Sequence, residues 1–328
     1  MLPLRCLRAV ARRPEAAGAA GRALALALLV AAVPAEAADC QKLVADFNKA
    51  IDTGHEADAQ QLADKIATDA ACGRFQVPVQ RRLAAFRLSA VQYLMARGRP
   101  AADFERLLVA ADKPRVLWQS AATLAEVRFG ERRFAEAARA YDRAIEIIKN
   151  ESLTPTAPSA FEIQGLIARA AQARILAANN TQGEKGATFV KTARNERDGT
   201  LGGFYSESVR GIVPRAVPVP ITFEYDQTAF TPIGRQAAEE LLSVLQEQRP
   251  SRITLVGHTD VRGTPEYNMK LSKDRAAAVA GFLREHGLQT AVEVIGKGET
   301  EPMKIIDASG LTQEDIYALN RRVEWRRE

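Results

Sequence analysis

Histidine and cysteine are scarce, three of each in 328 residues, and no apolar run is long enough to cross a bilayer. These absences narrow the chemistry. His258 and Asp260 form an H-x-D with no third ligand beside it, a weak metal site, and two cysteines without a nearby histidine pair make a weaker one. No nucleophile-elbow pattern is visible. Yet 47% hydrophobic and 26% charged residues exclude a disordered tail or a collagen-like repeat. At about 150 residues per domain the length suggests roughly two domains.

The formal charge of +5 is unevenly placed. Residues 1–37 hold five arginines and two glutamates, which leaves a net of +2 for the remainder. An arginine-rich start, the 11-residue apolar run Ala23–Val33 and Ala35-Glu36-Ala37 follow one another in the order of a secretory signal peptide with an A-x-A cleavage site. The run is short of the roughly 20 residues a spanning helix needs, so a retained anchor is the weaker reading. Asp39, beside Cys40, is not the small residue that a lipid-acceptor cysteine has there. An exported, near-neutral chain disfavours nucleic acid as a partner. Cleavage also removes Cys6, and in an oxidising compartment Cys40 and Cys72 are expected to form a disulfide, with two free buried thiols as the alternative.

From residue 39 to about 180 the sequence is alanine-rich and patterned at helical spacing. Longer helices are expected near 41–52, 79–97, 115–129 and 160–178, with shorter partners near 56–71, 101–111 and 133–149. Gly54, Gly98 and Gly130 fall in the turns, where a helix end favours the left-handed conformation glycine tolerates. Phe134, Ala137, Tyr141 and Ala144 share one face, and Ala137-x3-Tyr141 resembles an element of the tetratricopeptide repeat. Trp118 is displaced from that pattern and no proline closes the repeat until Pro155, which leaves a plain helical bundle open. In a hairpin, Cys40 and Cys72 would sit at neighbouring helix ends. Between about 180 and 216, Asn179-Asn180-Thr181-Gln182-Gly183, three further glycines and Pro214, Pro218 and Pro220 mark a linker or neck.

After Pro220 the periodicity changes. Ile221, Phe223 and Tyr225 alternate as in a strand, and Thr231-Pro232 opens a helix whose stripe is Ile233, Ala237, Leu241 and Leu245. Further strands are expected at 253–256, 292–295 and 321–326. A helix over about 265–286 and a short one capped by Thr312 with Asp315 complete the set.

The strand at 253–256 runs into Gly257-His258-Thr259-Asp260. Gly263, Asn268-x2-Leu271-Ser272-x2-Arg275-Ala276 and Asn320-Arg321-Arg322-Val323-Glu324 follow. In residue type, order and spacing these elements resemble the OmpA-like C-terminal domain, a peptidoglycan-binding module. The resemblance covers about residues 217–328, a third of the chain, and finds no barrel upstream. The expected fold is therefore multi-domain: a signal peptide over 1–37, all-α tetratricopeptide-like helical hairpins over 38–180, a neck over 181–216, and an α/β (α+β) OmpA-like domain over 217–328.

Asn268 and Arg275 are two helical turns apart and share a face, which can meet the loop bearing Asp260. One anion, one cation and one amide then converge, a set that suits a ligand carrying both ammonium and carboxylate. The resemblance implies that this ligand is the diaminopimelate of a peptidoglycan stem peptide. Asp260 would bind its charged amino-acid end and Arg275 its carboxylate, with Asn268 and Thr259 adding polar contacts and Arg321 forming part of the wall. The plain alternative is that Asp260 and Arg275 merely pair with each other. Glu299 and Glu301 invite comparison with a glycosidase carboxylate pair, but a Gly-x-Gly-Glu run in this loop also belongs to the family resemblance. The resulting expectation is a non-enzymatic periplasmic protein without cofactor or metal. It would be held on the cell wall, in a bacterium with a diaminopimelate-containing wall, and would present its helical surface to a protein partner. In a competing expectation the helical part is an assembly scaffold and wall binding is secondary.

Overall fold

A computed structural model describes residues 35–180 and 208–327. The expected signal peptide, up to residue 34, and the neck over 181–207 lie outside the described residues. Seven helices come first: α1 (Ala35–Asp52), α2 (Glu56–Thr68), α3 (Gly73–Ala96), α4 (Glu105–Asp112), α5 (Trp118–Gly130), α6 (Phe134–Lys149) and α7 (Ala160–Asn179). Short turns fold each helix back on its neighbour, so apolar stripes meet in sequence order. On α6 the stripe Phe134, Ala137, Tyr141 and Ala144 is buried. Ser159 starts α7 with a capping box closed by Glu162. The hairpins are unequal, since α4 has 8 residues and α6 has 16, and no constant repeat length runs through them.

Two details differ from expectation. Gly54 and Gly98 take the left-handed conformation, but Gly130 ends α5 as an ordinary helical residue. In that turn it is Arg132 that is left-handed, at φ 64°. The second helix of the first hairpin stops at Thr68, because Asp69 caps a separate short turn over Ala70–Cys72. Cys72 in that turn is bonded to Cys40 of α1, with the Cα atoms 5.5 Å apart. The bridge lies in a small core of its own with Phe47, Ile66 and Leu83.

The second part is a four-stranded sheet. Strands β1 (Ala216–Val219), β2 (Arg252–Gly257), β3 (Ala291–Gly296) and β4 (Val323–Arg326) are ordered β1-β4-β2-β3. β2 and β3 are parallel, whereas β4 runs antiparallel to both β1 and β2. Helix α8 (Pro232–Gln248) precedes β2, and α9 (Pro265–Glu285) crosses between the parallel pair. Trp325 registers with both Val217 and Leu255 in the centre of this core.

The first strand lies upstream of where alternation placed it. Ile221 is buried, but Tyr225 is 91% exposed and Phe223 makes only an isolated bridge to Phe230. β1 pairs with β4 alone and ends where that antiparallel partner begins, at Val219 opposite Val323. It is an edge strand, which accommodates Pro218. The residues after it form a loop with Asp226 in the left-handed region.

The two parts share packing. Val209 is buried among the helices, and Arg210 donates to the Thr154 carbonyl at 3.1 Å. A short helix, α10 (Gln313–Asn320), puts Ala318 and Leu319 into the same helical core, accompanied by Met303, Ile305 and Leu311. Sequence proximity places α10 with the sheet. Its apolar face belongs to the helices.

Reduction of the Cys40–Cys72 bridge opens a 32-residue loop, and the loop-entropy relation gives a loss of about 3–4 kcal/mol. Urea unfolding with and without reductant should show the lower midpoint; identical midpoints would show that the bridge adds no stability. A second prediction concerns Glu240 of α8, whose Oε2 is buried without a hydrogen-bond partner among the described residues. Burial pushes its carboxyl up to about 8, against the pull of Arg174. The folded chain then binds a proton that the unfolded chain has released, so stability falls as pH rises from about 4.3 to about 8. Glu240→Gln should flatten that slope, and an unchanged slope in denaturation curves across this window would contradict the assignment.

Candidate functional site

The site forms where strands end. β2 and β3 run parallel and finish together at Gly257 and Gly296, beside the start of β4 at Val323. His258 N–H donates to the Arg322 carbonyl at 2.9 Å, and Thr259 N–H to the Gly298 carbonyl at 2.9 Å, so the chain leaving β2 is pinned from both sides. The first half of α9 presses directly on these ends. A Cβ at position 257 would lie 1.9 Å from the Ser272 carbonyl oxygen, so only glycine permits the approach. Ser272 Oγ in turn accepts from Gly298 N–H at 2.9 Å. α9 is thereby registered so that Asn268 and Arg275 face the turn bearing Asp260.

Asp260 is 5% exposed and surrounded by donors. Its carboxylate accepts from Arg262 N–H at 3.0 Å, closing an Asx turn, and from the same residue's Nη2 at 2.6 Å. Arg321 Nη1 supplies a further bond at 2.8 Å. Burial pushes this carboxyl up, but hydrogen bonds from Arg262 and Arg321 outweigh it and hold it below the usual carboxylate range. Glu314 of α10 backs both arginines, 3.4 Å from Arg262 Nη1 and 2.9 Å from Arg321 Nη2. The Arg262 guanidinium also lies 4.7 Å from the centre of the Tyr317 ring.

Arg275 is 8% exposed and makes no hydrogen bond to Asp260. Its Nε donates to the Gln227 carbonyl at 3.1 Å, and the guanidinium stands 5.0 Å over the Phe223 ring. No carboxylate among the described residues pairs with it. Burial, and the nearby Arg321 charge, lower its pKa. Asn268 Nδ2 donates to the Asp260 carbonyl at 3.3 Å and to Glu299 Oε2 at 2.5 Å. Thr259 Oγ1 is buried with no hydrogen-bond partner among the described residues.

All five expected residues, Asp260, Arg275, Asn268, Thr259 and Arg321, therefore lie around these strand ends, but not as a simple ion pair. The cations on Asp260 are Arg262 and Arg321, and the terminal nitrogens of Arg275 have no acceptor among the described residues. Sequence reasoning missed Arg262 and Glu314 and set Glu299 apart from the site. A signal for Arg262 existed, because an Asp followed two residues later by a donor and then by Gly263 at φ 108° is a turn in the making. Nothing local marks Glu314. Glu301 is ion-paired with Arg326 and Lys297, and first Arg326 and then Lys297 lower its carboxyl to about 2, the opposite of a general acid's requirement. His258 is buried with Nε2 3.5 Å from Glu324, and burial lowers its pKa. Among the described residues the one metal-like cluster is Cys40, Asp69 and Cys72, whose cysteines are spent on the disulfide.

Comparison with known proteins places this geometry. Residues 222–310 match the model of the OmpA family. The peptidoglycan-associated lipoprotein of Pseudomonas putida is 39% identical over 106 residues, 32% of this chain and 60% of that protein. Outer membrane protein A of Bordetella avium is 38% identical over 103 residues, 31% of this chain and 50% of that protein. A stretch of 128 residues, 38% of this chain, is 32% identical to 15% of the photosystem I P700 chlorophyll a apoprotein A2 of Gloeobacter violaceus. This chain thus spans at most about two thirds of these relatives. Among solved structures, the peptidoglycan-associated lipoprotein of Burkholderia pseudomallei has a TM-score of 0.29 at 25% identity, over 34% of this chain and 89% of that one. The similarity to the OmpA family is confined to residues 222–310, and the helical part precedes them.

Replacing Arg262 by alanine removes one of the two cations that offset burial at Asp260, so the carboxyl should titrate at higher pH. A carboxyl depressed in the fold contributes stability that is lost as pH falls through its folded pKa, so acid unfolding of the variant should begin at a higher pH. Carbon-detected titration of the Asp260 carboxyl checks the first point. An unmoved titration would refute the role given to Arg262.

Proposed function

We propose that this protein anchors non-covalently to peptidoglycan by binding the diaminopimelate of stem peptides at the strand-end site. The observation that carries the reading is Arg275, a buried guanidinium with one backbone acceptor and, among the described residues, no carboxylate partner, near enough to the buried anion Asp260 to feel its charge. A zwitterionic ligand answers both groups. Its carboxylate would receive the fork of Arg275, and its ammonium would share Asp260. Arg262 and Arg321 already occupy that carboxylate, so the ammonium must displace one of them, and Glu314 is placed to keep the displaced guanidinium. Asn268 orients the Asp260 turn, and the Thr259 hydroxyl offers an unmet hydrogen bond. The relatives named as peptidoglycan-associated lipoproteins support the polymer.

One stem peptide is held modestly, since each charge-assisted bond contributes about 1.5–3 kcal/mol net. The wall repeats the ligand many times, and rebinding within an immobile mesh converts modest affinity into lasting attachment. This places the protein in the periplasm, on the wall. The helical part then faces a protein partner, and exposed Tyr93, Met95, Val109 and Phe161 supply apolar surface for it.

The mature protein should co-sediment with isolated sacculi. Asp260→Ala or Arg275→Ala should each weaken binding roughly tenfold or more, the loss of one charge-assisted bond. Undiminished pull-down of both variants would defeat the assignment, as would failure of the parent protein to sediment.

A further inference from the structure

α10 has two sets of partners. Toward the site, Glu314 holds Arg262 and Arg321, and Arg321, the residue that ends the helix, reaches Asp260. Away from it, Ala318 and Leu319 are buried in the core formed by the helical part. Asp315, next to Glu314, is 3% exposed and points to the helical part as well. Its carboxylate receives both terminal nitrogens of Arg132, at 2.5 and 2.9 Å, while one of its oxygens also closes the Thr312 capping box at 2.7 Å. One carboxylate therefore starts α10 and ties it to a residue 183 positions away.

Arg132 is in an uncommon backbone state. It takes the left-handed conformation at φ 64° in the α5–α6 turn, although Gly130 is two residues off. A side chain is strained there, and such outliers persist where surrounding interactions demand them. Here the demand is visible. The conformation sends the guanidinium across to Asp315, braced 5.3 Å from the Phe134 ring.

We infer that Arg132 is a positioning residue for the strand-end site: through Asp315 the helical part fixes α10, and α10 fixes the Arg262–Arg321–Glu314 frame around Asp260. The inference rests on the wall-binding reading of that site. A bidentate, partly buried arginine–carboxylate pair is directional, and loss of it frees the first turn of α10, where Glu314 stands. The helical part then braces the ligand site through α10 as well as offering a surface for other proteins. Occupancy at one surface would alter affinity at the other by the same factor, since such coupling is reciprocal.

The test uses the full mature chain with Arg132→Gly and Arg132→Lys. Glycine suits the backbone at φ 64°, so R132G removes the guanidinium without adding strain, and lysine keeps the charge without the fork. Two measurements are made: backbone amide and Arg Nε signals of residues 259–263 and Arg321 by NMR, and affinity for a soluble stem peptide containing diaminopimelate by calorimetry. In R132G the site signals should shift and affinity should fall about two- to thirtyfold, the range of long-range coupling, with R132K intermediate. A pair that merely fastens the two parts would lower the melting temperature and leave the site signals and affinity as they were; that outcome overturns the inference. If the parent chain binds no stem peptide, the wall-binding reading falls, and the site signals of R132G alone decide the coupling.

Discussion

A carboxylate taken out of water stays ionised only if cations come with it, and the burial of Asp260 sets the terms for everything around it. One cation is local, Arg262 in the same turn. The other, Arg321, arrives from the far end of the chain at the close of α10. Bringing Arg321 in requires α10 to be anchored, and its anchorage lies among the helices and on Arg132. The site thus needs groups from three regions: the strand ends, the first half of α9 and a helix held by the other half of the molecule.

The strand ends supply rigidity of a different kind. Gly257 and Gly296 let the α9 backbone approach closer than any side chain allows. Below them the buried ions Arg322 and Glu324 and the imidazole of His258 fix the start of β4 against the end of β2. Asn268 then spans from the Asp260 turn to Glu299 on the next loop. Arg275 differs from the other charged groups here, with one backbone acceptor and no carboxylate paired with it among the described residues. A guanidinium so buried and so lightly bonded is costly for the empty protein, and that cost favours a ligand bearing an anion.

How much of this could be read from the chain depends on the distance over which each relation acts. The helices of the first part and the strand-end turn follow local rules of spacing, capping and glycine, and they stand close to where those rules put them. Asp260, Asn268 and Arg275 lie within a short segment, so a helical repeat suffices to bring them to one place. β1 was misplaced because alternation at Ile221, Phe223 and Tyr225 says nothing about where β4 begins. The left-handed turn residue proved to be Arg132 because a contact with Asp315 outweighs local preference. No periodicity encodes a bond across 183 positions. Nothing in the eight residues of α10 says which core receives Ala318 and Leu319.

That exchange of cores has a consequence for biosynthesis. The seven helices end at residue 179, but the seat that Ala318 and Leu319 fill stays open until α10 is in place. A product truncated ahead of α10 therefore keeps an uncovered apolar surface on its helical part. Quality-control proteases and holding chaperones recognise such surfaces. Docking of α10, the last helix among the described residues, closes that surface.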